Sequence, residues 1–231
     1  MSEGRGIEII PTCVPSTEAA LAEGARGARA FASEIHIDIT DGLFAPEVTW
    51  PYTEKGVFEP FDLSSAESLV REVHLMVEEP RIIGVQCAEA GAFRVLGHIE
   101  AFSTSLEARG ALDAWRHAGA HEVGLAALLQ TPLALLDEVV ASCDVVHLMS
   151  IARIGTQGIP YESSAPARIA EFHAKHPDVL ISVDGGVAES NIADLVRAGA
   201  SRFGVGSAIA KATDPAAAFV RLKALAENAT L

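Results

Sequence analysis

Apolar and polar positions along this chain repeat one alternation: a short, nearly continuous apolar run, then an amphipathic stretch. Eight apolar runs cover residues 7–14, 34–40, 73–77, 94–100, 122–128, 145–151, 179–183 and 202–205, and they are rich in Val and Ile. Continuous hydrophobicity is the pattern of strands buried on both faces of a parallel sheet. Between the runs, helical patterns fall at residues 16–30, 80–90, 107–118, 132–142, 165–175, 190–198 and 214–226. Pro80 sits where a first helical turn tolerates proline. Ala90-Gly91-Ala92, Ala118-Gly119-Ala120 and Ala198-Gly199-Ala200 each end a helix and enter the next strand, which predicts a left-handed glycine cap in each loop.

Residues 41–68 break the rhythm. Gly42, Pro46, Pro51, Gly56 and Pro60 make this segment a long loop with at most a short helix near 66–71. A loop of that length inside a compact domain is usually functional. No linker or charge block marks a second domain, so residues 1–231 are expected to form a single (β/α)8 barrel. A doubly wound open sheet is the rival for the same alternation. In a barrel, chemistry comes from strand C-terminal ends and the loops that follow them.

Charge narrows the partners. The 17 Lys+Arg against 31 Asp+Glu give a formal net charge of −14, which argues against nucleic acid or an anionic membrane as partner. An anionic substrate must then be held by local dipoles or a metal. Cys13, Cys87 and Cys143 are odd in number and lack a CxxC spacing, as expected of free thiols in a reducing, cytoplasmic compartment. The N-terminal MSEGRGIEII has no apolar core of a leader, and no run of 18 apolar residues occurs, so a soluble, unsecreted protein is expected.

Four polar residues stand at strand ends. His36, Asp38 and Thr40 alternate with Ile37 and Ile39, so the polar set shares one face, inward in a barrel. His74 and Met76 repeat the pattern on the third run, and Asp184 ends the seventh. A histidine in an apolar strand is commonly a satisfied core residue. A carboxylate at the end of Leu180-Ile181-Ser182-Val183 needs a partner. Two imidazoles and two carboxylates at one barrel mouth would suit Zn2+, Mn2+, Fe2+ or Co2+ alike. Gly185-Gly186 and Gly206-Ser207, after the last two strands, can cradle a phosphate with backbone N–H groups, or can simply make tight turns. His147, two residues before Met149, reads as a buried neutral histidine. Trp50, Trp115, His117, His121, His173 and His176 read as packing or surface residues, and Asp41 as a loop cap or a support behind the ligands.

These stretches resemble the ribulose-phosphate 3-epimerase family. His36-Ile37-Asp38-Ile39-Thr40-Asp41-Gly42 is similar to H-V-D-V-M-D-G, and Phe44-Ala45-Pro46-Glu47-Val48-Thr49 to F-V-P-N-I-T. Val73 to Pro80 resembles V-H-L-M-V-E-N-P, His98-Ile99-Glu100-Ala101 resembles H-x-E-A, and Leu148-Met149-Ser150-Ile151 resembles L-M-S-V. Val183 to Val187 and Gly206 to Ile209 are similar to V-D-G-G-I and G-S-A-I. The likeness runs in order from about Pro11 to Pro215.

The resemblance implies a TIM barrel of the ribulose-phosphate-binding type and C3 epimerisation of a small phosphorylated sugar, most simply D-ribulose 5-phosphate to D-xylulose 5-phosphate in pentose phosphate metabolism. It implies a divalent metal on His36, Asp38, His74 and Asp184, with Asp38 and Asp184 as the catalytic acid/base pair. It also implies phosphate contacts at Gly185, Gly186, Gly206 and Ser207, substrate contacts at Thr12, Met76 and Met149, and a homo-oligomer. Three features depart from it. Thr40 replaces the family's Met, Pro11-Thr12-Cys13-Val14-Pro15 replaces P-S-I-L-S, and Ala152-Arg153-Ile154-Gly155-Thr156-Gln157-Gly158 replaces N-P-G-F-G-G-Q. The last change keeps another ketose phosphate, such as a hexulose 6-phosphate, in view. A lyase of the related barrels would need Asp-x-Lys-x-x-Asp, and Asp38-Ile39-Thr40-Asp41 lacks the Lys. A barrel that binds phosphate without turnover is the third class.

Overall fold

A computed structural model describes residues 6–155 and 158–230. Eight parallel strands close a barrel: Glu8–Cys13, Glu34–Thr40, Val70–Met76, Arg94–His98, Glu122–Ala127, Val145–Met149, Leu180–Asp184 and Arg202–Val205. Each pairs with its neighbour in the chain, and the first closes on the eighth through Glu8↔Arg202 to Pro11↔Val205. The apolar runs of the sequence all become barrel strands, so the open-sheet rival does not apply. The third strand begins at Val70, three residues ahead of the apolar run at 73–77, because Arg71 and Glu72 interrupt the hydrophobicity without interrupting the pairing to the second strand.

Helices α1 Glu18–Ala28, α2 Pro80–Glu89, α3 Ser105–His117, α4 Ala134–Asp137, α5 Ala165–Lys175, α6 Ile192–Arg197, α7 Ser207–Ala210 and α8 Pro215–Asn228 cover the outside. Thr17, Thr104 and Asp214 cap α1, α3 and α8 through their side-chain oxygens, as the sequence chemistry of helix starts demands. Gly91, Gly119 and Gly199 adopt φ of 90°, 116° and 112°, which accounts for the recurring Ala-Gly-Ala. The helix expected over 132–142 is broken into α4 and a 3-10 turn at Val140–Ser142. The long segment at 41–68 folds a two-stranded hairpin, Tyr52–Glu54 with Val57–Phe58, and its 3-10 turn lies at Ser64–Ala66, ahead of the expected 66–71.

Side-chain alternation divides each strand between two cores. Ile35, Ile37 and Ile39 are buried outward beneath the helices, and His36, Asp38 and Thr40 inward. Trp115 on α3 is fully buried against Gly84 of α2 and Gly97 of the fourth strand. The base of the barrel is filled by charge. Arg94 donates to Glu122 at 2.7 Å and Glu72 at 2.8 Å, and Arg202 donates to Glu8 and, at 3.1 Å, to Glu122. The buried groups are thereby paired, as low dielectric surroundings require. Among the described residues, no helix is long and apolar enough to cross a membrane.

Candidate active site

A cleft opens at the C-terminal ends of the strands. Asp38, Thr40, Met76, Met149 and Asp184 line its barrel side. Thr12, Gly185, Gly186, Gly206 and Ser207 line it on the side of the first, seventh and eighth strands. His36 and His74 are fully buried beneath it.

The two histidines converge on one carboxylate oxygen. His36 Nε2 lies 3.2 Å and His74 Nδ1 3.0 Å from Asp38 Oδ1. The opposite ring atoms fix which nitrogens carry hydrogen. His36 Nδ1 donates to Glu72 Oε1 at 2.5 Å. His98 Nδ1 donates to Glu100 Oε2 at 3.0 Å, so His98 Nε2 is left to accept from His74 Nε2–H, also at 3.0 Å. Glu100 is in turn held by Thr131 Oγ1 and by Leu128 N at 2.8 Å. Both chains of bonds leave a ring lone pair aimed at Asp38. Two lone pairs facing one carboxylate oxygen need positive charge between them, from a proton or a divalent ion. Spacings of 3.0–3.2 Å are also those of neighbouring donors on one ion at bond lengths of roughly 2.1 Å. The residues present therefore fit a divalent cation.

The electrostatics follow from this packing. Burial alone would lower the His36 pKa, but the Asp38 and Glu72 carboxylates raise it well above the ordinary imidazole range. Burial would raise Asp38, yet the His36 charge and the close ring nitrogens of His36 and His74 hold it well below the usual carboxylate range. Asp184 goes the other way, pushed up to about 6 by burial and then by the charge of Asp38. The two carboxyls in one cleft are thus displaced in opposite directions, Asp38 holding its proton far less readily than Asp184.

His147 joins this cluster. It is fully buried, its ring lies 4.7 Å from that of His74 and 5.6 Å from that of His36, and its Nδ1 bonds Ser182 Oγ at 2.9 Å. One donor atom each from His36, His74, His147 and Asp184 lie within 4.8 Å of one another. That set contains three of the four residues expected to hold a metal; Asp38 adjoins it through His36 and His74.

The anion side of the cleft is built from backbone. Gly185 and Gly186 have φ of 108° and 68°, conformations that L side chains rarely adopt. A Cβ on Gly185 would stand 2.7 Å from Ile151, and one on Gly206 2.7 Å from Thr12 Oγ1. Ser150 Oγ donates to Gly185 O at 2.6 Å and Asn191 Nδ2 to Gly186 O at 2.9 Å, which fixes the turn through its carbonyls. No Lys or Arg lines the cleft among the described residues. In the altered loop, Ile154, Gly155 and Gly158 reach the cleft, Arg153 is exposed, and Thr156 and Gln157 lie outside the described residues. Asp41 is a loop cap: Oδ1 accepts from Leu43 N and Phe44 N, and Oδ2 from Glu78 N at 2.7 Å.

Residues 8–210 match the family described as "Ribulose-phosphate 3 epimerase family". The chain belongs to this family. A ribulose-phosphate 3-epimerase of Aquifex aeolicus is 32% identical over 201 residues, 85% of this chain and 86% of that protein. One of Mycobacterium bovis is 30% identical over 228 residues, 96% of this chain and 94% of its own length. The chain is thus an isomerase of the ribulose-phosphate 3-epimerase kind. Its barrel also superposes on a 3-hexulose-6-phosphate synthase of Salmonella typhimurium (TM-score 0.66, 16% identity, 96% of this chain and 100% of that one). An orotidine 5'-phosphate decarboxylase of Pyrococcus horikoshii gives a TM-score of 0.59 at 16% identity, covering 94% and 98% of the two chains. Those likenesses are of fold. At the position where a lyase of these barrels would need Lys, Thr40 is fully buried and bonded to Thr49.

The supporting residues were harder to read from sequence. Glu72 precedes the apolar run of its strand, so its inward face was not visible. Glu100 carried a motif but no role. His147 carried a signal, its two-residue spacing from Met149.

Proposed function

We propose that this enzyme interconverts D-ribulose 5-phosphate and D-xylulose 5-phosphate by inverting C3, with a divalent cation held by His36, Asp38, His74 and Asp184. The observation that carries this reading is the pair Asp38 and Asp184, two carboxyls in one cleft with oppositely displaced pKa values. They arise on the second and seventh strands, three places apart around the barrel.

Inversion beside a carbonyl requires a base on one face of C3 and an acid on the other. Asp38, ionised, takes the C3 proton and leaves a planar enediolate. Asp184, protonated, returns a proton to the opposite face, and the reverse reaction exchanges the two roles. When bound, the cation supplies Lewis-acid stabilisation for the negative charge that develops as the proton leaves. Each acid/base group contributes on the order of 10²–10⁴-fold in rate. Met76 and Met149 give the reacting face an apolar, polarisable lining that keeps water from the enediolate. Thr12 orients the substrate beside Gly206. The amides of Gly185, Gly186, Gly206 and Ser207 bind the phosphate, which suits a cleft without Lys or Arg.

We assign the whole of residues 1–231 to this one catalytic domain, at work in the cytoplasm. A second reading, a hexulose 6-phosphate or another ketose phosphate as substrate, is favoured by the changed loop at 152–158 and by Thr40 in the cleft wall. The test is turnover of both ketose phosphates in deuterated water, before and after chelation. Inversion of ribulose 5-phosphate with solvent deuterium at C3, lost on chelation and restored by Co2+ or Zn2+, is expected. Turnover of the hexulose phosphate alone would transfer the assignment to it, and absence of both inversion and exchange would refute it.

A further inference from the structure

We propose that His147 is a further donor of the metal centre, so that this chain holds its divalent cation with three imidazoles. The proposal rests on the cation reading above and adds a ligand to it.

His147 sits one inward position below Met149 on the sixth strand, whose register pairs His147 with Ser182 and Met149 with Asp184. It therefore points into the barrel from directly beneath the cleft wall. Its Nδ1 is occupied by Ser182 Oγ at 2.9 Å, and its Nε2 is buried with no hydrogen-bond partner. A buried polar atom without a partner is costly, and native proteins rarely keep one without use. A residue that only filled space here would be better apolar, as are Val145 and Met149, the residues of this strand that share its inward face. With Ser182 accepting from Nδ1–H, Nε2 presents a lone pair, the form in which imidazole binds a metal. The distances complete the case. The His147 donor lies within 4.8 Å of donors from His36, His74 and Asp184, as residues that share one ion must. Ser182 then acts on His147 as Glu72 acts on His36 and His98 on His74: each bonds the ring nitrogen turned away from the centre.

A third imidazole has a consequence for metal choice. Nitrogen donors favour Co2+ and Zn2+, whereas Mn2+ prefers oxygen. Removing His147 should therefore weaken Co2+ binding more than Mn2+ binding.

The experiment uses the full-length protein freed of metal by chelation, titrated with Co2+ and with Mn2+ by calorimetry and visible absorption. X-ray absorption of the Co2+ form counts imidazoles in the wild type directly. Three imidazoles in the wild type and two in His147→Leu are expected. Co2+ affinity should fall at least tenfold in that variant, the visible band should shift, and Mn2+ affinity should change less. His117→Ala, an exposed histidine on α3, should match the wild type. Two imidazoles in the wild type would overturn the proposal whatever the variant does, and so would a His147→Leu protein with unchanged Co2+ affinity and spectrum; the cation reading would survive both. A wild type that takes up no Co2+ would overturn both together.

Discussion

His74 Nε2 and His98 Nε2 stand 3.0 Å apart, one imidazole donating to the other inside the barrel. Burial, ahead of any charge, lowers the His98 pKa, which suits a neutral acceptor; Glu100 holds its opposite nitrogen. His98 thereby decides which His74 nitrogen faces Asp38. His98→Phe keeps the volume and removes the acceptor. We expect cation affinity to fall about 10–100-fold, the usual effect of losing a partner behind a metal-binding histidine. Calorimetric titration with Co2+ checks this, and an unchanged affinity would show that His74 needs no such support.

The two carboxylates should fail in different ways. Removing one acid/base group still lets the other take and return a proton on its own face. Asp38→Asn and Asp184→Asn should each lose inversion by at least about 10²-fold. In deuterated water each variant should exchange the C3 hydrogen of one epimer with retention, and the favoured epimer should differ between the two. Nuclear magnetic resonance of each purified epimer reads this directly. Exchange of the same epimer in both variants would contradict a base on each face.

Much of this site could be read before any coordinates, for a physical reason. Strand alternation is rigid, so His36, Asp38 and Thr40, His74 and Met76, and the terminal Asp184 had to share the barrel interior once their runs were strands. The barrel order followed from the same eight apolar runs. What escaped notice lies where hydrophobicity is not the organising force. Glu72, Arg94 and Arg202 are charged yet buried, because Glu72 pairs with Arg94, and Arg202 with Glu8 and Glu122, across strands of the closed barrel. The hairpin at 52–58 escaped because proline and glycine mark a turn without saying which flanking residues pair. His147 looked like core packing because its lone open nitrogen is a property of its neighbours.

Gly204 should matter for catalysis through Asp184. A Cβ there would stand 3.0 Å from Asp184 Oδ1 and 3.3 Å from Asp184 Cβ and Cγ, so the carboxylate must give way. Gly204 is buried on the eighth strand and does not line the cleft. Misplacement of a reacting group by well under an ångström is costly to rate. Gly204→Ala should lower kcat by about 10–100-fold with KM within a few-fold of wild type. A variant in which KM alone rises would assign Gly204 to phosphate binding.

Packing between α2 and α3 gives a stability prediction. The Gly84 position lies so near Trp115 that an added Cβ would meet its indole at 2.1 Å from Nε1 and 2.5 Å from Cε2. Trp115 is fully buried and donates Nε1–H to Arg81 O at 3.2 Å, so it has little room to retreat. Gly84→Ala should cost about 1–3 kcal/mol through overpacking, more than any gain in helix propensity returns. Urea unfolding checks it, and a stability equal to wild type would mean the indole can shift.

The free thiols predict how stability depends on alkaline pH. Burial, and then the nearby Asp38 charge, push Cys13 up to about 11, and burial pushes Cys143 up to about 12. An unfolded thiol titrates near 8.5. The folded state therefore keeps its protons where the unfolded state loses them, and ionisation pulls the equilibrium towards unfolding. The stabilising contribution is whole below about pH 8.5 and is lost as pH climbs towards 11–12. Between pH 8 and 10.5 each thiol should contribute about 2.5 kcal/mol of this loss. Urea midpoints should fall more steeply over that range in the wild type than in a Cys13→Ala, Cys143→Ala double variant. The difference isolates the thiols from the lysines and tyrosines that titrate in the same range. Equal slopes in the two proteins would show that neither thiol is shielded from solvent in the folded state.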